Sequence, residues 1–508
     1  MTNAKDVANR APITAALMLA TLMNTLDSTI ANVALPHIQG SVSAAQDQVT
    51  WVLTSYIIAT AVMTPLVGWL ASKLGRKRLF LLSIGGFTVT SMLCGVATSL
   101  PEIVLFRVAQ GLFGAALMPL SQTVILDLYP MRMIPRVMSL WSAAVILGPI
   151  AGPSLGGWLT ENLSWRWVFY INLPIGVAAF MVLQMYMADD PGGRQRPFDL
   201  IGFSTLTVFV GAFQLMLDRG PSQDWFESTE IWIYAILCGL GLFMFIVQIA
   251  TAKNPFFPRA LFRDGNFVGG VIFSLFVGML LFSTTAILPS FMQTLLGYSA
   301  LQSGYVSMTR GFGSLISFLL IPSLIPRVGA KPLLVAGVGL CMIALMQMAQ
   351  FNLAMTSGPI MVSGFIQGIG TGLMFAPLNT LSFATLSPTL RPDGTILSTM
   401  GRSLGSSVGI SLVQSTLVRQ GAMDAARLSE HLVAGAPTLV GALPRSVSLQ
   451  SPTGLSMLRG LVGRQGAMLA YDFVFAWMAL IVLLMLPIIV ALRRPPPTPP
   501  SPMDSVSE

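Results

Sequence analysis

Apolar runs of about twenty residues recur along almost the whole of this chain, and that recurrence leaves few architectures open. A hydrocarbon core of ~30 Å takes about twenty helical residues to cross, whereas barrel strands read as alternating segments of about ten, a pattern this chain lacks. Only 9% of its 508 residues are charged, against roughly 25% in a soluble globular chain. The expected fold class is an all-α integral membrane protein. Fourteen spans are expected, at about 12–35, 50–71, 79–99, 101–125, 135–159, 166–187, 199–217, 231–251, 267–290, 301–323, 331–351, 357–381, 394–417 and 468–492. Lys5 and Arg10 precede the first run, but no small-residue cleavage site interrupts it before Asp27, so it reads as an uncleaved span.

Loop charge orients these spans. With both termini in the cytoplasm, the inside segments hold eighteen basic residues and the short outside loops two, Arg166 and Arg219. The positive-inside rule selects this orientation and penalises any odd error in the count. The same distribution argues against nucleic-acid binding, because the net charge of +8 is spread over loops and forms no patch. Cys94, Cys238 and Cys341 are far apart in apolar runs, and His37 and His431 stand alone in expected loops, so neither a disulfide framework nor a metal site is proposed. No phosphate loop occurs, which weighs against an enzyme that hydrolyses nucleotides. No cofactor is expected.

A repeat divides the chain. Gly75 after span two matches Gly329 after span ten, Gln110 and Pro119 in span four match Gln367 and Pro377 in span twelve, and Gly148, Gly152 and Gly156 match Gly401, Gly405 and Gly409, all at offsets of 253 to 258. The expected organisation is a cytoplasmic N-terminus at 1–11, a six-helix bundle at 12–187, two inserted helices with linkers at 188–266, a second six-helix bundle at 267–492 containing a long outer loop at 418–467, and a proline-rich disordered cytoplasmic tail at 493–508. Duplicated six-helix halves are the plan of transporters that rock around a midplane site.

Four stretches carry candidate chemistry. Asp27 lies inside span one, where a charge costs roughly 2.5–3.5 kcal/mol on the insertion scale and normally faces a cavity or a partner. Thr21, Asn24, Ser28 and Asn32 form a polar stripe beside it, expected to line a water- or substrate-filled cavity. Arg107 in span four is its candidate partner, since both residues sit ~20–25 Å above the inner surface at 1.5 Å rise per residue. The arginine favours the charged carboxylate and burial favours the neutral one. "GWLASKLGRKRL" closes span two with Gly68, Ser72, Gly75, Arg76, Lys77 and Arg78, a candidate cytoplasmic gate beyond its positive-inside charge. "GPIAGPSLGGW" sets Gly148, Gly152 and Gly156, with Gly157, around Pro149 and Pro153, the pattern of a close-packed, doubly kinked helix. Asp472 in span fourteen is a second intramembrane acid, and Arg310 and Arg402 are further embedded cations.

Taken together, "LDSTIANVALP", "GWLASKLGRKR", "RVAQGLFGAA", "GPIAGPSLGGWL", "WRWVFYINLPIG" and "QGAMLAYDFVF" resemble the fourteen-span drug:proton antiporters of the major facilitator superfamily, the EmrB/QacA type, from about residue 12 to 492. The resemblance implies proton coupling at Asp27, a relay or gating role for Arg107, a cytoplasmic gate at 68–78 and the antiport motif at 148–157. It implies a bacterial inner-membrane protein that exports amphipathic, often cationic, small molecules in exchange for protons. Some relatives work with a periplasmic adaptor protein and an outer-membrane channel, and the loop at 418–467 is the candidate docking segment for such a partner. One departure stands out: the superfamily's gate motif commonly has an aspartate where this chain has Ser72. Two alternatives remain open, a proton-coupled exporter of one specific metabolite, siderophore or lipid-like molecule, and a non-transporting membrane sensor or receptor.

Overall fold

The computed structural model describes residues 9–44, 46–130, 133–189, 197–430 and 452–492. Fourteen long helices follow one another: α1 Arg10–Ser41, α2 Trp51–Leu74, α3 Arg76–Val96, α4 Leu100–Leu128, α5 Ile134–Asn162, α6 Trp167–Tyr186, α7 Leu200–Ser222, α8 Thr229–Thr251, α9 Gly265–Thr294, α10 Leu301–Val328, α11 Ala330–Met348, α12 Ser357–Ala384, α13 Arg391–Glu430 and α14 Pro452–Ala491. Helices are forced by the solvent: in hydrocarbon every backbone N–H and C=O must be satisfied within the segment.

Thirteen of the described helices are long and apolar enough to cross a membrane. The exception is α13, whose central Arg402, Ser403, Ser406 and Ser407 lower its hydropathy. It packs along α9 as α5 packs along α1, so it belongs to the bundle in spite of its composition.

The repeat is visible in the packing. In the first half α1 lies on α5, α2 and α3 on α4, and α3 on α6; in the second α9 lies on α13, α10 and α11 on α12, and α11 on α14. The turns agree in detail, because Gly75 has φ 85° and ψ 151° and Gly329 has φ 87° and ψ 163°. Both lie in the left-handed region that costs glycine nothing. The glycines of α5 and α13 make equivalent contacts: a Cβ on Gly148 would stand 2.7 Å from Leu26 N on α1, and one on Gly401 would stand 3.2 Å from Val271 O on α9. The two inserted helices pair with each other, and α7 touches both α2 and α13. It does so through hydrogen bonds from Thr54 to Asp218 (2.6 Å), from Ser407 to Gln214 (2.7 Å) and from Ser411 to the Leu217 carbonyl (2.6 Å).

Several expectations are corrected. Helix α1 runs on through Pro36 to Ser41, so His37 is an exposed helical residue and not a loop residue. Where the expected outer loop at 418–467 is described it is helical: residues 418–430 continue α13 and 452–467 open α14. These extensions pack on each other, with a Cβ on Gly466 falling 2.8 Å from Ala425 N, and such pairing sustains helix beyond the apolar stretch. Residues 431–451, with His431, and the tail 493–508 lie outside the described residues, as do residues 1–8.

Candidate functional site

Asp27 is fully buried, with no exposed surface, and so is Arg107. The arginine reaches across from α4 and donates from Nη1 to Asp27 Oδ2 at 2.7 Å. The other carboxylate oxygen accepts from Gln110 Nε2 on α4 and from Asn172 Nδ2 on α6, each at 2.9 Å. Arg107 is held in turn, donating from Nη1 to Gln110 Oε1 at 2.9 Å and from Nε to the Val52 carbonyl of α2 at 3.0 Å. Its guanidinium lies over the Tyr56 ring, 4.2 Å from the centroid. A second bond from Asn172, to Ser91 Oγ on α3 at 2.9 Å, ties in a fifth helix. A buried ion pair is tolerable when its remaining lone pairs and protons are satisfied, and this one is satisfied by neutral amides from two helices.

Sequence reasoning matched Asp27 with Arg107 by depth and missed Gln110 and Asn172 as ligands. The signal was present in both: each is an amide inside an apolar run, and Gln110 was noticed only as a repeat marker. The expected water-facing stripe divides. Ser28 is half-buried and Asn32 exposed, but Thr21 is buried, accepting from Trp141 Nε1 at 3.2 Å. Half-buried Asn24 donates to Tyr56 Oη at 3.0 Å. Asp27 does not line open water, because α1 is covered by α4 and α6 on that side.

The second half has a cognate layer without an acid. Thr284 stands where the repeat places Asp27 and Gln367 where it places Gln110, both at an offset of 257. They meet Arg310 of α10, which donates to Thr284 Oγ1 at 2.9 Å and Gln367 Oε1 at 3.3 Å, and also to Thr285 Oγ1. The Thr284 and Gln367 positions are repeated but the cation is not, since the offset of 257 carries Arg107 to Gly364 and Arg310 to Leu53, and the second half has no acid in this layer. Asp472 is not brought to Asp27: it lies on α14, which packs on α11 and α13, and its Oδ1 is buried without a hydrogen-bond partner.

The gate segment is arranged differently from expectation. Ser72 turns back to donate to the Trp69 carbonyl of its own helix at 2.7 Å. The carboxylate comes instead from Asp127, at the end of α4, which accepts from Arg76 Nη1 at 2.6 Å and lies 3.8 Å from Arg391 Nη1 on α13. Lys77 pairs with Asp189 at 3.1 Å, and Arg78 is exposed. At Gly68 the two halves come close enough that a Cβ would sit 2.8 Å from Ile396 Cδ1. The same end of the bundle carries bonds between halves from Thr123 to Thr395 (2.6 Å) and from Gln122 to Asn379 (3.2 Å).

The antiporter motif lies on one continuous helix that passes through Pro149 and Pro153. Gly148, Gly152 and Gly156 face Thr25, Thr29 and Ile30 of α1, and Gly157 is buried. The opposite side of α5 meets the second half, with Ile150 against Gly311 and Ser154 against Gly304. A single helix thus touches the turn preceding Asp27 and the other half of the molecule.

The chain has relatives. The model of the Major Facilitator Superfamily matches residues 17–410. Multidrug export protein EmrB of Escherichia coli (strain K12) is 33% identical over 488 residues, 95% of this chain and 95% of the relative. Fatty acid resistance protein FarB of Neisseria gonorrhoeae is 33% identical over 95% of this chain and 96% of its own length. Among solved structures, the proton:xylose symporter XylE superposes with a TM-score of 0.57 at 15% identity, over 94% of this chain and 95% of that one, which is a likeness of fold alone. With the family model covering most of the chain and 33% identity across nearly its whole length, the chain belongs to the Major Facilitator Superfamily and, within it, to the EmrB-type group.

Proposed function

We propose that this protein is a secondary exporter in the bacterial inner membrane that exchanges external protons for internal amphipathic compounds, with Asp27 as the coupling carboxylate. The observation that carries the reading is the buried Asp27–Arg107 pair, with its amide ligands, in one half only of a duplicated bundle. The names of two relatives, multidrug export protein and fatty acid resistance protein, support export of several amphipathic substrates.

The chemistry follows from the packing. Ionised Asp27 draws α1, α4 and α6 together through Arg107, Gln110 and Asn172. A proton on the carboxylate removes the charge that holds Arg107 and loosens this junction, and α5 carries the change to the seam between halves. Substrate and proton favour opposite orientations, so each weakens the other's binding by the same factor. Because Asp27 is enclosed, the antagonism runs through helix position and not through direct displacement. The seam is closed at the end bearing Arg76 and Arg391, which loop charge assigns to the cytoplasm, and this arrangement is read as facing outward. A membrane potential supplies ~2.3 kcal/mol per charge per 100 mV.

The test is proton movement. Purified protein in proteoliposomes with an acid interior and an entrapped pH dye is expected to release internal protons when an amphipathic substrate is added outside, with no release from protein-free vesicles. Binding of substrate without any proton flux would favour a receptor and overturn the reading.

A further inference from the structure

A second buried charge, outside the Asp27 junction, lacks what buried charges normally have. Arg402 lies on α13 and is 4% exposed. Among the described residues its one hydrogen bond is from Nη2 to the thioether of Met118 on α4, at 2.8 Å, and a thioether is a weak acceptor. Its guanidinium lies 5.2 Å from the centroid of Phe375 on α12. No carboxylate among the described residues comes within ion-pairing distance. The contrast with Arg107, which has an acid, and Arg310, which has hydroxyl and amide acceptors, is sharp. Arg402 has neither.

Its position is that of a substrate. Met118 belongs to the first half, Phe375 and Arg402 to the second, so the guanidinium sits in the seam between them. Arg402 is about eleven residues from the start of α13 and Met118 about ten from the end of α4, which places both ~15–17 Å from the closed end, near mid-membrane. One turn toward that end, the Gln122–Asn379 bond leaves Gln122 Oε1 and Asn379 Nδ2 buried and unpartnered, and Thr399 Oγ1 is unpartnered as well. Between residues 265 and 492 the acids are Asp393, Asp424, Glu430 and Asp472. None lies within two helical turns of Arg402 on α13. At this depth of the seam an aromatic ring and a thioether meet a cation that no described carboxylate approaches, with orphaned amide atoms one turn away.

We infer that Arg402 binds the anionic group of a transported amphipathic monoanion, with Phe375 and Met118 against its apolar body. The inference rests on the export reading and names the substrate charge for it. A planar guanidinium donates two parallel hydrogen bonds to a carboxylate, which would supply the missing counter-charge. The same geometry disfavours the cationic substrates that the sequence resemblance implies.

Binding of a matched pair of probes, 4-hexylbenzoate and 4-hexylphenyl-trimethylammonium, to purified full-length protein in a neutral detergent tests this without requiring flux. Arg402→Gln is expected to weaken benzoate binding about 10- to 100-fold and leave the ammonium probe unchanged or tighter, and Arg402→Lys is expected to recover part of the loss. Both variants are expected to unfold at or above the wild-type temperature, since no partner is orphaned by the change. Equal weakening of both probes, or unchanged benzoate affinity, would overturn the inference. So would displacement of benzoate by an anionic phospholipid that is not itself moved. Loss of proton flux with all substrates in wild-type protein would instead overturn the export reading, and the probe affinities distinguish the two failures.

Discussion

Arg107→Ala is expected to lower the stability of the purified protein by about 3–5 kcal/mol near neutral pH, the usual consequence of leaving one member of a buried pair uncompensated. Three things are lost at once: the 2.7 Å bond to Asp27, the 2.9 Å bond to Gln110 Oε1 and the 3.0 Å bond to the Val52 carbonyl. The double variant Asp27→Asn with Arg107→Gln removes both charges while leaving amides to hydrogen-bond, and it should recover most of the stability without recovering proton-driven transport. Unfolding in detergent reads this directly. A double variant no more stable than Arg107→Ala would mean that the arginine matters for packing and not for its charge.

The second large effect is steric. A Cβ on Gly148 would stand 2.7 Å from the backbone nitrogen of Leu26 and closer still to Thr25 Oγ1. Backbone cannot rotate away as a long side chain can, so Gly148→Ala must push α1 off α5, at about 1–3 kcal/mol for overpacking. The displaced turn immediately precedes Asp27. Transport should therefore fall by an order of magnitude or more while the protein still folds. Gly239→Ala is the control: a Cβ there meets nothing within 4 Å, and the change should leave stability unchanged or raise it by up to about 1 kcal/mol through helix propensity. Wild-type transport in Gly148→Ala would contradict a role for this contact in coupling α5 to the Asp27 junction.

The helices and the duplication were readable because their causes are local. Span length follows from bilayer thickness, and the repeated glycines mark positions where α5 meets α1 and α13 meets α9. Asp27 and Arg107 were legible as a pair because charge in hydrocarbon is costly and depth can be counted. The orientation of Asp27 was not legible. A polar stripe on α1 implies a wet face, but α1 is enclosed on several sides, so the carboxylate points to α4 and α6 while Ser28 and Asn32 keep the less buried positions. Gln110 and Asn172 escaped notice because neutral amides announce no charge. Asp127 was not legible for another reason: it lies outside the 68–78 motif, at the end of α4, some fifty residues beyond its partner Arg76. The helical extensions of α13 and α14 were hidden because pattern and hydropathy end with the apolar stretch, while helix continues wherever a second helix covers it.

The account stands or falls on Asp27 as the residue through which the proton gradient does work. The measurement is accumulation of a labelled substrate by proteoliposomes under an imposed pH gradient, with exchange of labelled for unlabelled substrate in the absence of a gradient as the companion assay. Asp27→Asn is predicted to retain exchange and to lose gradient-driven accumulation. An asparagine variant that still concentrates substrate in response to the pH gradient would contradict the account.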